Sequence, residues 1–391
     1  LALRSKLLVI TGGPGTGKTT LVRGILAALA ADGLRTLLAA PTGRAARRLG
    51  ESTGREARTL HRLLEADPER GFRRHGGRAL EADLVIVDEA SMIDTQLLAA
   101  LLEALPPTCA LLLVGDVDQL PSIGPGQVLA DLIASAAVAV VRLTEIFRQA
   151  AESGIVRNAH RINRGELPTF ARAEDGPGDC YGIRVAGAED AEAKLLDLVL
   201  RRIPERFGLD PVNDVQVLTP VNRGRSGTVA LNALLQAHLN PSPPSTLSRG
   251  QVRLALGDKV MQLENDYDRE VYNGDVGRIT GIDPRAQTLE VTMDGRRLSY
   301  AADELDRLAI AYAVTVHKAQ GSEYPAVIVP LLRQHGRMLR RKLLYTAITR
   351  ARRLVVLLTE PDALERAVRD TGDLRRITLL RQRLIKPEPS P

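Results

Sequence analysis

Leu7-Leu8-Val9-Ile10-Thr11-Gly12-Gly13-Pro14-Gly15-Thr16-Gly17-Lys18-Thr19-Thr20 is an apolar run that turns through glycines into a helix. It fits G-x-x-x-x-G-K-[ST], the phosphate-binding loop. Successive backbone N–H groups wrap phosphate oxygens only where no side chain intrudes, and Gly13, Gly15 and Gly17 leave that space. Pro14, Thr16 and Thr20 belong to the same stretch. The helix opening at Lys18 aims its positive dipole end at the anion. The Lys18 ammonium then reaches the β and γ phosphates of a nucleotide, and the Thr19 hydroxyl ligates Mg²⁺. The residues ask for a nucleoside triphosphate.

The rest of the chain has to be read around this loop. Its 391 residues exceed one ordinary core, so two or three domains are expected. With 44% hydrophobic residues it is not a disordered chain. The net charge of +6 favours an anionic partner. Lysine is scarce among the 53 basic residues, which makes Lys18 and Lys318 stand out. Two cysteines without metal spacing suit a reducing compartment, and Cys109 reads as a small core residue. No apolar run spans a bilayer and no cleavable leader opens the stretch, so a cytoplasmic location is expected.

Strand and helix patterns alternate over the first 140 or so residues, as in a parallel, doubly wound sheet. Strands are expected at Leu7 to Ile10, Arg35 to Ala40, Leu84 to Val87, Ala110 to Val114 and Val138 to Arg142. Ligands of such sheets bind at the carboxyl ends of the strands, and a polar motif follows the runs. Pro41-Thr42-Gly43-Arg44 offers a helix start rich in donors, suited to a phosphate that belongs to a polymer. Thr59-Leu60-His61 adds a second polar cluster, with His61 taken alone reading as a structural histidine. The stretch Ala66 to Glu81 reads as a small hairpin excursion. Asp88 and Glu89 end the Leu84 strand, where a carboxylate pair beside a phosphate loop holds Mg²⁺ through the first residue and polarises water through the second. Gln119, after Gly115-Asp116, is placed to orient that water or sense the γ phosphate.

A second αβ region begins near Leu143. Its strand Val215 to Leu218 ends in Thr219-Pro220 and is followed by arginines, a loose echo of Ala39 to Arg44. Asn240 to Ser248 reads as a linker, and Gly250 to Leu305 as a small antiparallel barrel or sheet punctuated by Asn273-Gly274, Asp283-Pro284 and Asp294-Gly295. Thr315-Val316-His317-Lys318-Ala319-Gln320-Gly321-Ser322-Glu323 joins two further strands through a polar turn. Leu343 to Arg353 reads as a helix ending in arginines. An arginine delivered to a γ phosphate from a second lobe is worth roughly 10³ to 10⁵ in rate, and Arg148 and Arg350 are the candidates.

In order, GGPGTGKTT, APTGRAARRL, TLHRLL, IVDEASMID, LVGDVDQLP, EIFRQ, VTVHKAQGSEY and LLYTAITRARR resemble the motifs of superfamily 1 helicases, and within them the RecD-like branch. The resemblance covers Leu7 to about Leu358. It implies an α/β fold of two RecA-like P-loop NTPase lobes, with 1A at residues 1–141, a hairpin 1B at 65–82, 2A at 142–249 and 306–391, and an SH3-like β insertion 2B at 250–305. It implies ATP and Mg²⁺ as cofactors, with Lys18 and Thr19 on phosphate and metal, Asp88 on the metal, Glu89 activating water and Gln119 coupling nucleotide state to the cleft. Arg148 and Arg350 would reach the γ phosphate, Phe147 would lie where relatives put an aromatic against adenine, and Gly321 with Glu323 would touch the nucleotide. Pro41, Thr42, Arg44, Thr59, His61, Thr219, Thr315 and His317 fall among strand-binding positions, which moves His61 and His317 toward functional roles.

The activity this implies is 5′ to 3′ translocation on single-stranded DNA with unwinding at duplex junctions, in repair or recombination, by a monomer. A motor subunit of a larger nuclease-helicase complex, an RNA-directed helicase and a nucleotide switch are the other readings. Six residues precede the first strand, where relatives carry a glutamine that reads adenine. Stand-alone members add a large preceding region there, through which contacts with other repair proteins are expected.

Overall fold

The computed structural model describes residues 4–67, 69–147, 151–171, 178–249, 252–372, 376 and 378–385. The chain divides into two compact units, Leu1–Glu152 with Gly372–Pro391, and Ser153–Thr371. No helix among the described residues is long and apolar enough to cross a membrane.

The first unit runs β1 (Leu7–Gly12), α1 (Lys18–Leu29), β2 (Thr36–Ala40), α2 (Gly43–Thr53), β3 (Ala57–Thr59), α3 (Leu60–Leu63), a hairpin of β4 (Ala66–Asp67) and β5 (Gly71–Phe72), β6 (Leu84–Val87), α4 (Thr95–Ala104), β7 (Ala110–Gly115), α5 (Val128–Ser135) and β8 (Ala139–Leu143). Its six-stranded sheet has the order β3-β2-β6-β7-β1-β8, with every pair parallel. Side chains alternate across a strand, so one run feeds two cores. Leu8, Ile10, Ile86, Leu112 and Val114 meet Val22 and Leu26 of α1 and Leu49 of α2. Val9, Val85, Val87, Leu111 and Leu113 meet Leu97 and Leu101 of α4 and Leu132 of α5. Each such burial contributes roughly 1.5 to 3 kcal/mol, which explains strands that are apolar on both faces.

The boundaries expected for this unit shift at both ends. β8 continues past residue 141 to Leu143 because it pairs with β1 as far as Gly12↔Leu143. The tail, expected with the second lobe, returns to the first, where the helix Leu380–Ile385 packs against α5 and sets Leu380 and Leu384 on the apolar core. β3 was not expected; three residues are too few to show a period.

The second unit contains β9 (Cys180–Arg184), β10 (Val215–Thr219), a hairpin of β11 (Thr246–Arg249) and β12 (Val252–Ala255), then β13 (Lys259–Gln262), β14 (Val276–Asp283), β15 (Thr288–Met293), β16 (Arg296–Tyr300), β17 (Leu308–Ile310), β18 (Ala313–Thr315), β19 (Tyr324–Leu331) and β20 (Ala351–Thr359). β18-β10-β19-β20-β9 form a second sheet, also parallel throughout. The antiparallel sheet β16-β15-β14-β13-β17 is the insertion. It overruns its expected span: β11 begins inside the expected linker, and β17 pairs with β13 after residue 305.

A buried carboxylate joins insertion and sheet. Asp258 accepts from Ala255 N at 2.8 Å, Asn240 Nδ2 at 2.8 Å, Gln236 Nε2 at 2.5 Å and Tyr312 OH at 3.1 Å, while Lys259 Nζ donates to Val215 O at 2.9 Å. The expected helix 343–353 is shorter, running from Arg341 to Ile348 with Thr349 as its cap. Arg352 and Arg353 therefore lie on β20.

Candidate nucleotide and strand-binding residues

The glycine loop is built as its residue types demand. Gly15 and Gly17 have φ of +73° and +76°, the left-handed region that favours glycine. Thr16 Oγ1 donates to Gly13 O at 2.8 Å and pins the turn. Lys18 Nζ donates to Gly12 O at 2.7 Å and Gly13 O at 3.0 Å, so the ammonium is folded over the loop. Thr19 and Thr20 are exposed at the helix start, and Pro14 is half-buried. Gly17 has a second constraint, since a Cβ there would lie 2.2 Å from Phe147 Cε2. Phe147 N donates to Gly15 O at 3.2 Å and its ring is 60% exposed, so the aromatic rests on the loop with a face left open.

β6 delivers the carboxylate pair beside this loop. Asp88 N donates to Ala39 O at 3.0 Å, and Asp88 Oδ1 accepts from Glu89 N at 2.8 Å. Burial and the neighbouring Glu89 push the Asp88 pKa up to about 6, against the pull of Glu89 N, Lys18 and Arg48. Glu89 holds a φ of +52°, a strained conformation for a non-glycine residue and one that collects at functional sites. Gly115, ending β7, lets the turn after Glu89 pass close, because a Cβ there would come within 3.1 Å of Ala90 N and Ser91 N.

β7 also supplies Gln119. The residue is 7% exposed, its Nε2 donates to Asp116 Oδ2 at 3.3 Å, and its N donates to Asp116 O at 3.3 Å. Asp116 further accepts from Asp118 N at 3.1 Å, and Thr11 Oγ1 accepts from Val117 N at 3.4 Å. Asp116 is a site residue the motif reading missed. Its signal was a carboxylate directly after a strand-ending glycine.

Thr42 and Thr59 are both helix N-caps, accepting from Ala45 N at 3.3 Å and Arg62 N at 3.1 Å. Thr42, Pro41 and Arg44 are half-buried, whereas Thr59 is enclosed. His61 packs at 5.8 Å from the Phe72 ring of the hairpin, and burial lowers its pKa against a pull from Asp94. Thr59 and His61 thus brace α3 and the hairpin.

In the second unit, Thr219 and Thr315 end neighbouring strands in register. Thr219 is fully buried and its hydroxyl donates to Ser226 O at 2.6 Å. It closes its own loop, and its expected strand contact is corrected on that ground. Thr315 Oγ1 accepts from Lys318 N at 3.3 Å, which leaves its O–H to donate; His317 is half-buried in the same turn. Gly321 has φ +72°, and Glu323 accepts from Arg352 Nε at 2.8 Å.

Arg350 is 3% exposed and donates to Thr346 O at 3.2 Å, Ser322 O at 3.2 Å and Thr349 Oγ1 at 3.3 Å. Among the described residues it has no carboxylate partner. A buried guanidinium held only by neutral oxygens keeps its charge available to an anion. Arg148 lies outside the described residues. Among those residues no group of three or more His, Cys, Asp or Glu is arranged to hold a metal.

Three family models match successive parts of the chain. An AAA domain model matches residues 1–177, an ATP-dependent RecD-like DNA helicase SH3 domain matches 231–293, and a UvrD-like helicase C-terminal domain matches 310–358. The chain is 41% identical over 348 residues to the ATP-dependent RecD2 DNA helicase of Deinococcus radiodurans, covering 89% of this chain and 46% of that protein. It is 34% identical over 431 residues to the RecBCD enzyme subunit RecD of Mycolicibacterium smegmatis, covering 96% of this chain and 73% of that protein. The chain therefore spans less than half of the first relative and about three quarters of the second. The crystal structure of Pif1 helicase from Bacteroides in complex with ADP-AlF3 and ssDNA shares the fold at a TM-score of 0.57 and 19% identity, over 95% of this chain and 92% of that one. Similarity to RecD at 34% identity over 96% of this chain and 73% of that protein, together with the three domain models, places the chain in the RecD-like helicase family.

Proposed function

We propose that this chain is the motor core of an ATP-driven DNA helicase that moves 5′ to 3′ along a single strand. The observation that carries the reading is the convergence of Lys18, the Asp88-Glu89 pair and the Asp116-held Gln119 on one edge of the first sheet. In this mechanism the backbone of Gly13 to Gly17 cradles the ATP phosphates. Lys18 exchanges its loop carbonyls for the β and γ phosphates. Glu89, held in its strained turn, accepts the proton of the attacking water, and Gln119 orients that water.

Thr19 and Asp88 fit as ligands of Mg²⁺: a buried carboxylate whose charge is disfavoured gains from a divalent cation, and an exposed hydroxyl stands at the helix start. When bound, Mg²⁺ neutralises charge developing between the β and γ phosphates. Arg350 supplies positive charge from the second unit, Arg148 is the other arginine assigned to the γ phosphate, and Gly321 and Glu323 support the nucleotide. Phe147 offers its open face to adenine. Pro41, Thr42 and Arg44 from the first unit, and Thr315 and His317 from the second, grip the strand in alternation, mainly through phosphates. Repair or recombination of DNA is the setting this activity suits, with duplex junctions as substrates.

The test is the steady-state ATPase rate with Mg²⁺, with and without single-stranded DNA, at two salt concentrations, with Lys18→Ala as control. A stimulation that weakens with salt supports the motor, and a 5′-tailed duplex then tests unwinding. Hydrolysis indifferent to DNA overturns it. The match to a RecBCD enzyme subunit favours one second reading, a motor that serves a larger assembly. Stimulated hydrolysis without unwinding by the isolated chain selects that reading.

A further inference from the structure

The loop Pro121-Ser122-Ile123-Gly124-Pro125-Gly126 leads directly away from Gln119 and is held from two sides. Thr95 N and Thr95 Oγ1 donate to Pro125 O at 2.9 and 3.1 Å. From the C-terminal tail, Arg376 Nη1 donates to Gly124 O and Gly126 O, each at 2.7 Å, and lies 3.3 Å from Ser122 Oγ. Ser122 is 2% exposed, and its Oγ reaches the same two carbonyls at 3.2 and 3.4 Å. Arg376 has no carboxylate partner among the described residues, so its cation is committed to this loop. The tail is itself anchored, since Leu380 and Leu384 sit on the first unit's core and their helix packs against α5.

We infer that Arg376 is a positioning residue for Gln119. The loop it clamps sets where the chain leaves the Gln119 turn, while Asp116 sets where the chain enters it. Arg376 is joined to the end of the second unit at Thr371 by a few residues, so the piece that steadies the water-orienting turn is covalently tied to the other unit. This rests on the functional reading above for its catalytic consequence, and on the three contacts alone for the clamp.

Two measurements separate the parts. Hydrogen exchange of peptides covering 116–127 is expected to speed up in Arg376→Ala, with peptides of β1 and β6 unchanged; unchanged exchange at 116–127 overturns the clamp whether or not the chain hydrolyses ATP. In the ATPase assay, Arg376→Ala is expected to lower kcat by about ten- to a hundredfold, the scale of a small misplacement of a reacting group, with KM for ATP and the thermal midpoint unchanged. Arg376→Ala combined with Gln119→Ala is expected to be no slower than Gln119→Ala alone. An equal loss from Arg376→Ala in both backgrounds, or a Gln119→Ala variant as fast as wild type, overturns the positioning role. A wild-type chain that hydrolyses nothing sinks the functional reading instead, and the exchange result still decides the clamp.

Discussion

The two units share a parallel sheet covered by helices, yet they use the loop after a central strand in opposite ways. After β1, glycines empty the loop of side chains and its backbone is left to meet an anion. After β10, Thr219 closes the loop on itself by donating to Ser226 O. The first unit leaves the backbone of that loop open and the second closes its own, while Arg350 of the second unit stays buried without a carboxylate partner among the described residues. A fold that repeats does not repeat its chemistry; that is set by a few residues just past the strand ends.

The comparison can be broken in several places. The largest effect is expected at Arg350. Arg350→Ala should reduce kcat by roughly 10³ or more while KM for ATP changes little, whereas Lys18→Ala should remove both binding and turnover. Nucleotide-binding titration beside the steady-state assay checks this, and full turnover in Arg350→Ala would show that the second unit lends the nucleotide no charge. Gly17→Ala comes next, because its side chain meets left-handed backbone and the Phe147 ring together. ATP affinity should weaken by about ten- to a hundredfold, from roughly 1 to 3 kcal/mol of strain. Measured in a Phe147→Ala background, the loss caused by Gly17→Ala should shrink by the part owed to the ring.

Thr219→Val sharpens the contrast from the other side. It should cost about 1 to 3 kcal/mol in denaturant unfolding by orphaning Ser226 O, and leave affinity for single-stranded DNA unchanged. A matching drop in strand affinity would restore Thr219 to the contact set.

An effect visible only as pH falls concerns His335, buried in the second unit with Nδ1 accepting from Leu332 N at 3.1 Å. Burial lowers its pKa to about 4, against a pull from Glu360. The unfolded chain therefore takes the proton first, so this residue's contribution is constant above about pH 6.5 and is lost progressively as pH falls toward 4. The slope is about 1 kcal/mol per pH unit, and His335→Gln should flatten it in denaturant titrations across that window.

The first sheet was legible because its strands are apolar on both faces, and periodicity reports burial. β3 escaped, being short and polar at the edge. The phosphate loop, the carboxylate pair and Gln119 were legible because backbone chemistry dictates their residue types. The role of Thr219 was not: a threonine that closes a loop is written in the same letters as one that meets a phosphate. Only burial and partners separate the two. Arg376 was illegible for a related reason, since it acts by holding backbone carbonyls some 250 positions away in sequence.

The return of the tail to the first unit has a consequence for biosynthesis. Residues up to Glu152 leave the ribosome long before Leu380 and Leu384, with the whole of Ser153–Thr371 between them. Until the tail emerges, part of α5's apolar surface and the carbonyls of Gly124 and Gly126 lack their covering. The first unit thus completes its core only after the second unit has been made.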